Sequence, residues 1–235
     1  MPMSANNKRA KLMRAAYNVR VNNPKTYDNK HEGKRAFIVG GGPSISTILE
    51  SGFNFKEELK DEITFGINKA YHLLTPTYLV FGDAYFWKHF EKEIKQVQCT
   101  KIVPDNIVRN YRDESFVYLR RSPSPKDVLP STLAGKISFI NNSGVAALRI
   151  AYAMGCNPIY LLGIDVKILE DGRSHYHNYY EGLRTTPVAR YGQFYIEFQR
   201  TLEALKGKRQ VISCSDISAL NDLIPYIPIQ EVLRS

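Results

Sequence analysis

Two stretches of the chain combine residue types that could do chemistry. The first is Gly172-Arg173-Ser174-His175-Tyr176-His177-Asn178-Tyr179-Tyr180, which holds two of the five histidines and three tyrosines. A neutral imidazole accepts a proton near pH 7, so His175 or His177 could serve as a general base. Arg173 or the hydroxyl of Tyr176 or Tyr179 could hold the oxygens of a phosphate. The two histidines are too close for the i, i+4 pair of a helical zinc site, and no nearby cysteine completes one. The second stretch is Gly40-Gly41-Gly42-Pro43-Ser44, directly after the apolar run Ala36-Phe37-Ile38-Val39. Glycines there let backbone N–H groups approach a phosphate, and a following helix adds the partial positive charge of its N-terminus. The turn is not the strict dinucleotide fingerprint, since no final glycine is in place. It is not a P-loop either, because no Gly-Lys-Ser/Thr follows.

These residues need elements to position them. Strand-like runs occur at 35–40, 62–67, 77–81, 101–103, 116–119, 136–140, 158–165 and 210–213. Helices are expected from Ser44 (as cap) to about Ser51-Gly52, briefly through Tyr71 and Leu74, and over 85–95, 145–154, 189–206, 215–223 and 229–233. Such alternation predicts a doubly wound, mainly parallel, Rossmann-like α/β sheet with helices on both faces. The run 158–165 is apolar on both faces, as a central parallel strand should be. Arg120 to Thr132 reads as a loop, either a lid or an inert connection.

Ligands of open α/β sheets bind outside the C-terminal strand ends. That edge should gather the glycine turn, Asn68, Asp83, Gly163 with Asp165, and the helix start Asn141-Asn142-Ser143-Gly144. Asn68 offers donor and acceptor to a ribose or base. Asp83 and Asp165 could hold a divalent cation that bridges phosphates, bind sugar hydroxyls, or supply a base. Each could instead cap a helix, a reading favoured more for Asp165 than for Asp83. Ser143 and the Gly144 amide would form a second anion-binding corner.

The chain has 235 residues, 43% of them hydrophobic, and a formal net charge of +9. The charge favours polyanionic partners: nucleotides, nucleic acid, anionic glycans or a membrane surface. Residues 1–33 read as a basic N-terminal extension carrying Lys8, Arg9, Lys11, Arg14, Arg20 and Lys25, and residues 34–235 as a single α/β domain. No apolar run reaches membrane-spanning length, and Met1 to Tyr17 lacks a secretory apolar segment, so a cytoplasmic location is expected. Cys99, Cys156 and Cys214 show neither metal-ligand spacing nor a disulfide framework.

Phe37-Ile38-Val39-Gly40-Gly41-Gly42-Pro43-Ser44, Gly66-Ile67-Asn68, Leu79-Val80-Phe81-Gly82-Asp83, Asn142-Ser143-Gly144-Val145 and Ile159-Tyr160-Leu161-Leu162-Gly163-Ile164-Asp165 follow in order. The set resembles the MptE-like family, which includes archaeal 6-hydroxymethylpterin diphosphokinases and motility accessory factor proteins. It is also similar to the bacterial CMP-sialic acid sialyltransferases of the Campylobacter type. The resemblance implies a nucleotide site built from Gly40, Gly42, Ser44, Asn68, Ser143 and Gly144. In the sialyltransferases a histidine beyond Ser-His-Tyr is the base, and tyrosines stabilise the departing phosphate. The matching position here holds Tyr179, so His177 or His175 would take that role. Those enzymes carry Asn at the position of Asp83.

The resemblance implies a nucleotide-dependent transferase, foremost a glycosyltransferase moving a sugar from a CMP-sugar-like donor to an acceptor hydroxyl. Arg173, Tyr176 and Tyr179 would then stabilise the leaving phosphate. One alternative is a pyrophosphokinase with Mg²⁺ on Asp83 and Asp165. Another is a nucleic-acid-binding protein, or a transferase acting on modified nucleic acid. The nucleotide-sugar is a substrate, and no other cofactor than Mg²⁺ enters any of these readings. The acceptor stays open among glycan, small molecule and nucleic acid, as does the oligomeric state, a homo-oligomer included.

Overall fold

In Ala36-Phe37-Ile38-Val39 every side chain is fully buried, although neighbours along a strand point to opposite faces. A strand of this kind must be covered on both sides, and the rest of the chain supplies the two covers. The computed structural model describes residues 22–108, 111–122, 128–139, 142–183 and 186–234. In chain order its elements are β1 (Ala36–Val39), α1 (Ser44–Glu50), α2 (Phe55–Glu58), β2 (Ile63–Ile67), β3 (Tyr78–Val80) and α3 (Ala84–Gln96). There follow β4 (Thr100–Pro104), β5 (Phe116–Arg121), β6 (Lys136–Ile137), α4 (Ser143–Ala153), β7 (Ile159–Leu162), α5 (Ala189–Leu205), β8 (Val211–Ser213) and α6 (Ile229–Val232).

The strands form one sheet in the order β6-β5-β4-β3-β2-β1-β7-β8, and every pairing is parallel. Ala36, Ile38, Phe65, Tyr78, Val80 and Val117 pack on one face with Val145 and Leu148 of α4 and Phe198 and Leu202 of α5. Phe37, Val39, Tyr160 and Leu162 pack on the other with Ile45 and Ile48 of α1 and Ile229 and Val232 of α6. Farther along that face Leu79, Phe81 and Val103 meet Phe86, Trp87 and Ile94 of α3. This is the doubly wound sheet that the alternation of strands and helices predicts.

Helix α4 is buried almost all round, from Gly144 to Ala151. Leu148 and Ile150 each contribute roughly 1.5–3 kcal/mol by leaving water. Arg149 lies among them fully buried, which pushes its guanidinium below its ordinary range. It donates to the Ser138 carbonyl (2.8 Å) and the Thr201 hydroxyl (3.0 Å), with the Glu197 carboxylate 3.6 Å away. The guanidinium thereby ties the approach to α4 onto α5.

Several local expectations change. Ser44 does not cap α1: Pro43 takes that position without a side-chain bond, and Ser44 is the first helical residue. The short helix after β2 is a 3-10 turn, Asn68–His72, and residues 219–222 form another in place of the longer helix expected over 215–223. Arg120 and Arg121 extend β5 and pair with Lys136 and Ile137, so the loop begins later than its polarity suggests. Its central residues 123–127 lie outside the described residues, as do Ile140 and Asn141.

The basic stretch 1–21 lies outside the described residues too. Residues 22–33, by contrast, are folded onto the sheet. Tyr27 is 6% exposed, and the amides of Asn29, His31 and Gly33 donate to the carbonyls of Ala153, Met154 and Gly155. Among the described residues no helix is long and apolar enough to cross a membrane.

Candidate functional site

The sheet order reverses between β1 and β7: the chain leaves β1 toward β2 and leaves β7 toward β8. Diverging connections open a crevice at the C-terminal strand ends, where ligands of such sheets bind. The two strand ends approach very closely. Gly40 N–H donates to the Leu162 carbonyl (2.8 Å) and Gly42 N–H to the Gly163 carbonyl (2.9 Å). A Cβ on Gly40 would lie 2.5 Å from the Gly163 carbonyl oxygen, and one on Gly42 2.5 Å from Asp165 Oδ2. Gly40 and Gly42 are therefore required by strand-to-strand packing.

The first turn of α1 already holds an anion from this chain. Ser44 N–H donates to Asp165 Oδ2 (2.7 Å), and the Ser44 hydroxyl donates to Oδ1 (2.6 Å). Asp165 is 2% exposed, and burial raises its carboxyl above the ordinary range against the pull of the Ser44 bonds. The two aspartates thus exchange the roles that the sequence suggests. Asp83 caps a helix, its Oδ1 accepting from Tyr85 N–H (2.8 Å) at the start of α3, and stays exposed. Asp165 caps no helix of its own strand connection and locks β7 to α1. With both Asp165 oxygens engaged, the pair does not fit a metal-bridging role. Among the described residues no group of three or more His, Cys, Asp or Glu is placed to hold an ion.

The start of α4 is likewise partly occupied from within. Asn142 is its N-cap, and Oδ1 accepts from the amides of Gly144 (3.0 Å) and Val145 (3.2 Å). The Gly144 amide expected to bind an anion already has a partner. The Ser143 hydroxyl makes no hydrogen bond among the described residues.

Between these strand ends lies a cleft of about 240 Å³. It brings together Gly40, Gly41, Gly42, Asn68, Asp83, Asn142, Ser143, Gly144, Gly163, Asp165 and His175. Pro43 and Ser44 sit buried beneath it. Arg173, Tyr176, His177 and Tyr179 do not line it. Arg173 is exposed and pairs with Asp171 at 2.6 Å.

The structure adds lining residues that the sequence reading missed: Ile67, Ile164, Val166, Lys167, Ser174, Thr186, Tyr191, Phe194 and Phe198. Among the described residues Lys167 is the one lysine or arginine lining the cleft, and it has no ion-pair partner there. Its place two residues beyond Asp165 was the available signal.

Two non-glycine cleft residues hold left-handed backbone, Asn68 (φ 51°) and Val166 (φ 51°). A β-branched residue there is a steric outlier, and such strain persists where the surroundings enforce it. Asn68 also buries its side-chain oxygen with no hydrogen-bond partner among the described residues. An unpaired buried carbonyl oxygen is costly, and a ligand donor would relieve it.

The histidine stretch packs down on the glycine turn. Tyr176 N–H donates to the Gly41 carbonyl (3.1 Å). Tyr179 N–H donates to His177 Nδ1 (3.2 Å), which places the proton of the neutral ring on Nε2. That ring stacks on Tyr179 (4.3 Å between centroids), which stacks in turn on His72 (4.4 Å). Burial first, then His175 and Lys69, push the His177 pKa down to about 3. His177 is thus a neutral packing ring outside the cleft with its acceptor nitrogen engaged. His175 lines the cleft, its Nδ1 lies 3.0 Å from the Ser174 hydroxyl, and burial lowers its pKa.

No family model matches the chain, and no curated protein matches it in sequence. Among solved structures the fold is similar to that of the MAf glycosyltransferase from Magnetospirillum magneticum AMB-1, with TM-score 0.54 and 16% identity over 88% of this chain. The match covers 37% of that protein, so this chain spans little more than a third of its length. The sialyltransferase CstII from Campylobacter jejuni, in complex with the substrate analogue CMP-3FNeuAc, gives TM-score 0.48 and 16% identity over 83% of this chain and 86% of its own. The sialyltransferase CST-II with a trisaccharide acceptor and CMP gives TM-score 0.48 and 16% identity over the same shares of the two chains. At 16% identity the likeness to the MAf glycosyltransferase is one of fold alone.

Proposed function

We propose that the chain is a nucleotide-dependent glycosyltransferase whose reaction takes place in the cleft between β1 and β7. The observation that carries this reading is Asn68. It is held in left-handed backbone at the cleft with a buried, unpartnered carbonyl oxygen, as a residue awaiting a ribose hydroxyl or base amino group would be. The fold shared with a glycosyltransferase supports the reading without establishing it.

In this reading the donor is a nucleotide-sugar, bound as substrate, with CMP as the first nucleotide to test. The acceptor hydroxyl gives its proton to His175 Nε2. Ser174 makes that nitrogen available when His175 Nδ1–H donates to its hydroxyl oxygen. The freed acceptor oxygen attacks the anomeric carbon. The bond from that carbon to the phosphate oxygen breaks, and the nucleotide leaves with the electron pair. Lys167 meets the charge that develops on the leaving phosphate, where electrostatic stabilisation is most effective. Burial keeps His175 neutral at pH 7, so it is ready to accept a proton. The pyrophosphoryl alternative needs a cation on Asp83 and Asp165, and the two engaged oxygens of Asp165 give it less support.

A thermal-shift and hydrolysis panel over CMP-, UDP- and GDP-sugars tests the reading. One nucleotide class should raise the melting temperature and its sugar should be hydrolysed. His175→Ala should cut turnover about 10²-fold or more, as removal of a general base does. No shift and no turnover with any donor overturns it.

A further inference from the structure

Helix α5 changes character along its length. Its inward stripe, Phe198, Leu202 and Leu205, is buried in the core. The same stripe continues toward the N-terminus at helical spacing as Phe194 and Tyr191, but there it leaves the core and lines the cleft half-buried. The two rings stand 5.7 Å apart at 60°, an edge-to-face pair that forms an angled wall. Phe198 is the floor beneath them and packs so tightly on Gly144 that a Cβ there would lie 3.0 Å from its ring.

The other lining of the cleft is polar. Asp83 has one carboxylate oxygen without a partner among the described residues, because only Oδ1 is engaged in capping. The Ser143 hydroxyl is free in the same sense, and Asn142 uses only its oxygen. An aromatic wall beside unengaged acceptors and donors suits a ligand with one apolar face and a hydroxylated rim. A pyranose has such an apolar C–H face and a rim of hydroxyls, whereas a nucleobase is apolar on both faces and carries its polar groups on a planar edge without hydroxyls.

We infer that Tyr191 and Phe194 form an acceptor subsite that takes a pyranose ring, its C–H face on the two rings and its hydroxyls toward Asp83 and Ser143. His175 lines the same cleft, so a hydroxyl held there lies within the space the base serves. The word acceptor rests on the glycosyl-transfer reading above; the sugar-binding half does not.

The test uses the full chain, with methyl β-galactopyranoside, methyl β-glucopyranoside and methyl α-mannopyranoside as probes in saturation-transfer NMR and CMP as the nucleotide comparator. At least one methyl pyranoside should bind. In Tyr191→Ala/Phe194→Ala the ratio of sugar affinity to CMP affinity should fall at least tenfold, and Tyr191→Phe should keep most of it. Melting temperatures show that the variants are folded, and Tyr191→Leu/Phe194→Leu repeats the measurement with side-chain volume kept. Failure of every pyranoside to bind overturns the inference. So does an unchanged ratio, and so does a selective loss of CMP affinity, which would make the wall a base platform. Sugar binding that depends on the two rings, in a protein that hydrolyses no donor, would sustain the subsite and refute the glycosyl-transfer reading.

Discussion

Asp165→Ala should destabilise the chain by about 3 kcal/mol. The carboxylate accepts the Ser44 N–H at 2.7 Å and the Ser44 hydroxyl at 2.6 Å, in a site where Asp165 is 2% exposed and Ser44 fully buried. Hydrogen bonds to a charged group are each worth roughly 1.5–3 kcal/mol net. Two would give about 3–6 kcal/mol, and the burial that raises the Asp165 pKa offsets the upper part of that range. Alanine leaves a helix N-terminal amide and a hydroxyl buried without an acceptor.

Asp165→Asn keeps one acceptor oxygen for the amide and can donate to the Ser44 oxygen, so its cost should be about 1 kcal/mol. For a chain of this size the alanine loss corresponds to roughly 6–12 °C in Tm. Urea unfolding followed by the buried Trp87, the single tryptophan, measures both variants. Because the folded-state pKa of Asp165 lies above its unfolded value, the carboxyl's linkage contribution is fully present below the unfolded pKa and is lost as pH rises through the folded one. The wild type should therefore gain on Asp165→Asn when the pH is lowered from neutrality to about 4, close to the unfolded carboxyl value. A loss under 1 kcal/mol for alanine, or equal losses for the two variants, would show that Asp165 does not hold α1. The glycine turn would then be open to a ligand anion after all.

The remaining predictions concern the loop and the glycines. His177 is depressed to about 3 in the folded protein, so the stability it contributes is present above the unfolded value near 6.5 and lost as pH falls toward 3. Allowing for partial solvent screening of the ring, the loss is about 2–4 kcal/mol. His177→Gln should flatten that limb of the pH–stability curve, and an unchanged curve refutes the assignment. Gly40→Ala should lower stability by about 1–3 kcal/mol, since its Cβ would meet the Gly163 backbone oxygen at 2.5 Å. Gly192→Ala, within α5 and with nothing near its Cβ, should raise stability by about 0.5–1 kcal/mol. Chemical denaturation of the pair gives both signs, and the same sign for both would contradict the packing described.

The sheet was legible because its signals are local. Buried runs such as Phe37-Ile38-Val39 and Tyr160-Leu161-Leu162 read as strands without knowledge of their neighbours, and the glycine after each marks the C-terminal edge. That these residues share one edge was legible for the same reason, and one cleft there is lined by Asn68, Asp83, Asn142, Ser143 and His175. The partners of each group were not. Asp83 and Asp165 both follow apolar strands and a glycine, and only the position of Ser44, 121 residues away in the chain, makes one a buried lock and leaves the other as a helix cap. Residues 22–33 read as part of the basic extension because Tyr27, their one buried hydrophobic side chain, is isolated among polar and charged residues. Tyr191 and Phe194 carry no site signal in the sequence, because their spacing is that of an ordinary buried helical stripe, while the point at which α5 overhangs the cleft is set by tertiary packing.

The positions that sequence reasoning would give to a bound phosphate are largely occupied by the fold itself. Asp165 sits at the turn that the glycines suggest for an anion, and Asn142 Oδ1 takes the Gly144 amide at the second corner. Both are the interactions expected at a helix N-terminus, made within the chain. What stays unengaged in the cleft therefore defines the ligand better than the motifs do. The remainder is the Asn68 oxygen, one oxygen of Asp83, the Ser143 hydroxyl, the Lys167 ammonium and His175. Among the described residues one cation stands beside several neutral or anionic acceptors, a set that accommodates a single phosphate more readily than a triphosphate, whose extra charges would need a metal or further cations. That balance favours a nucleoside monophosphate leaving group over a transfer from ATP, and a comparison of CMP with CTP in the thermal-shift panel measures it directly: the diester-linked donor and CMP should stabilise the protein more than CTP does in the absence of divalent ions.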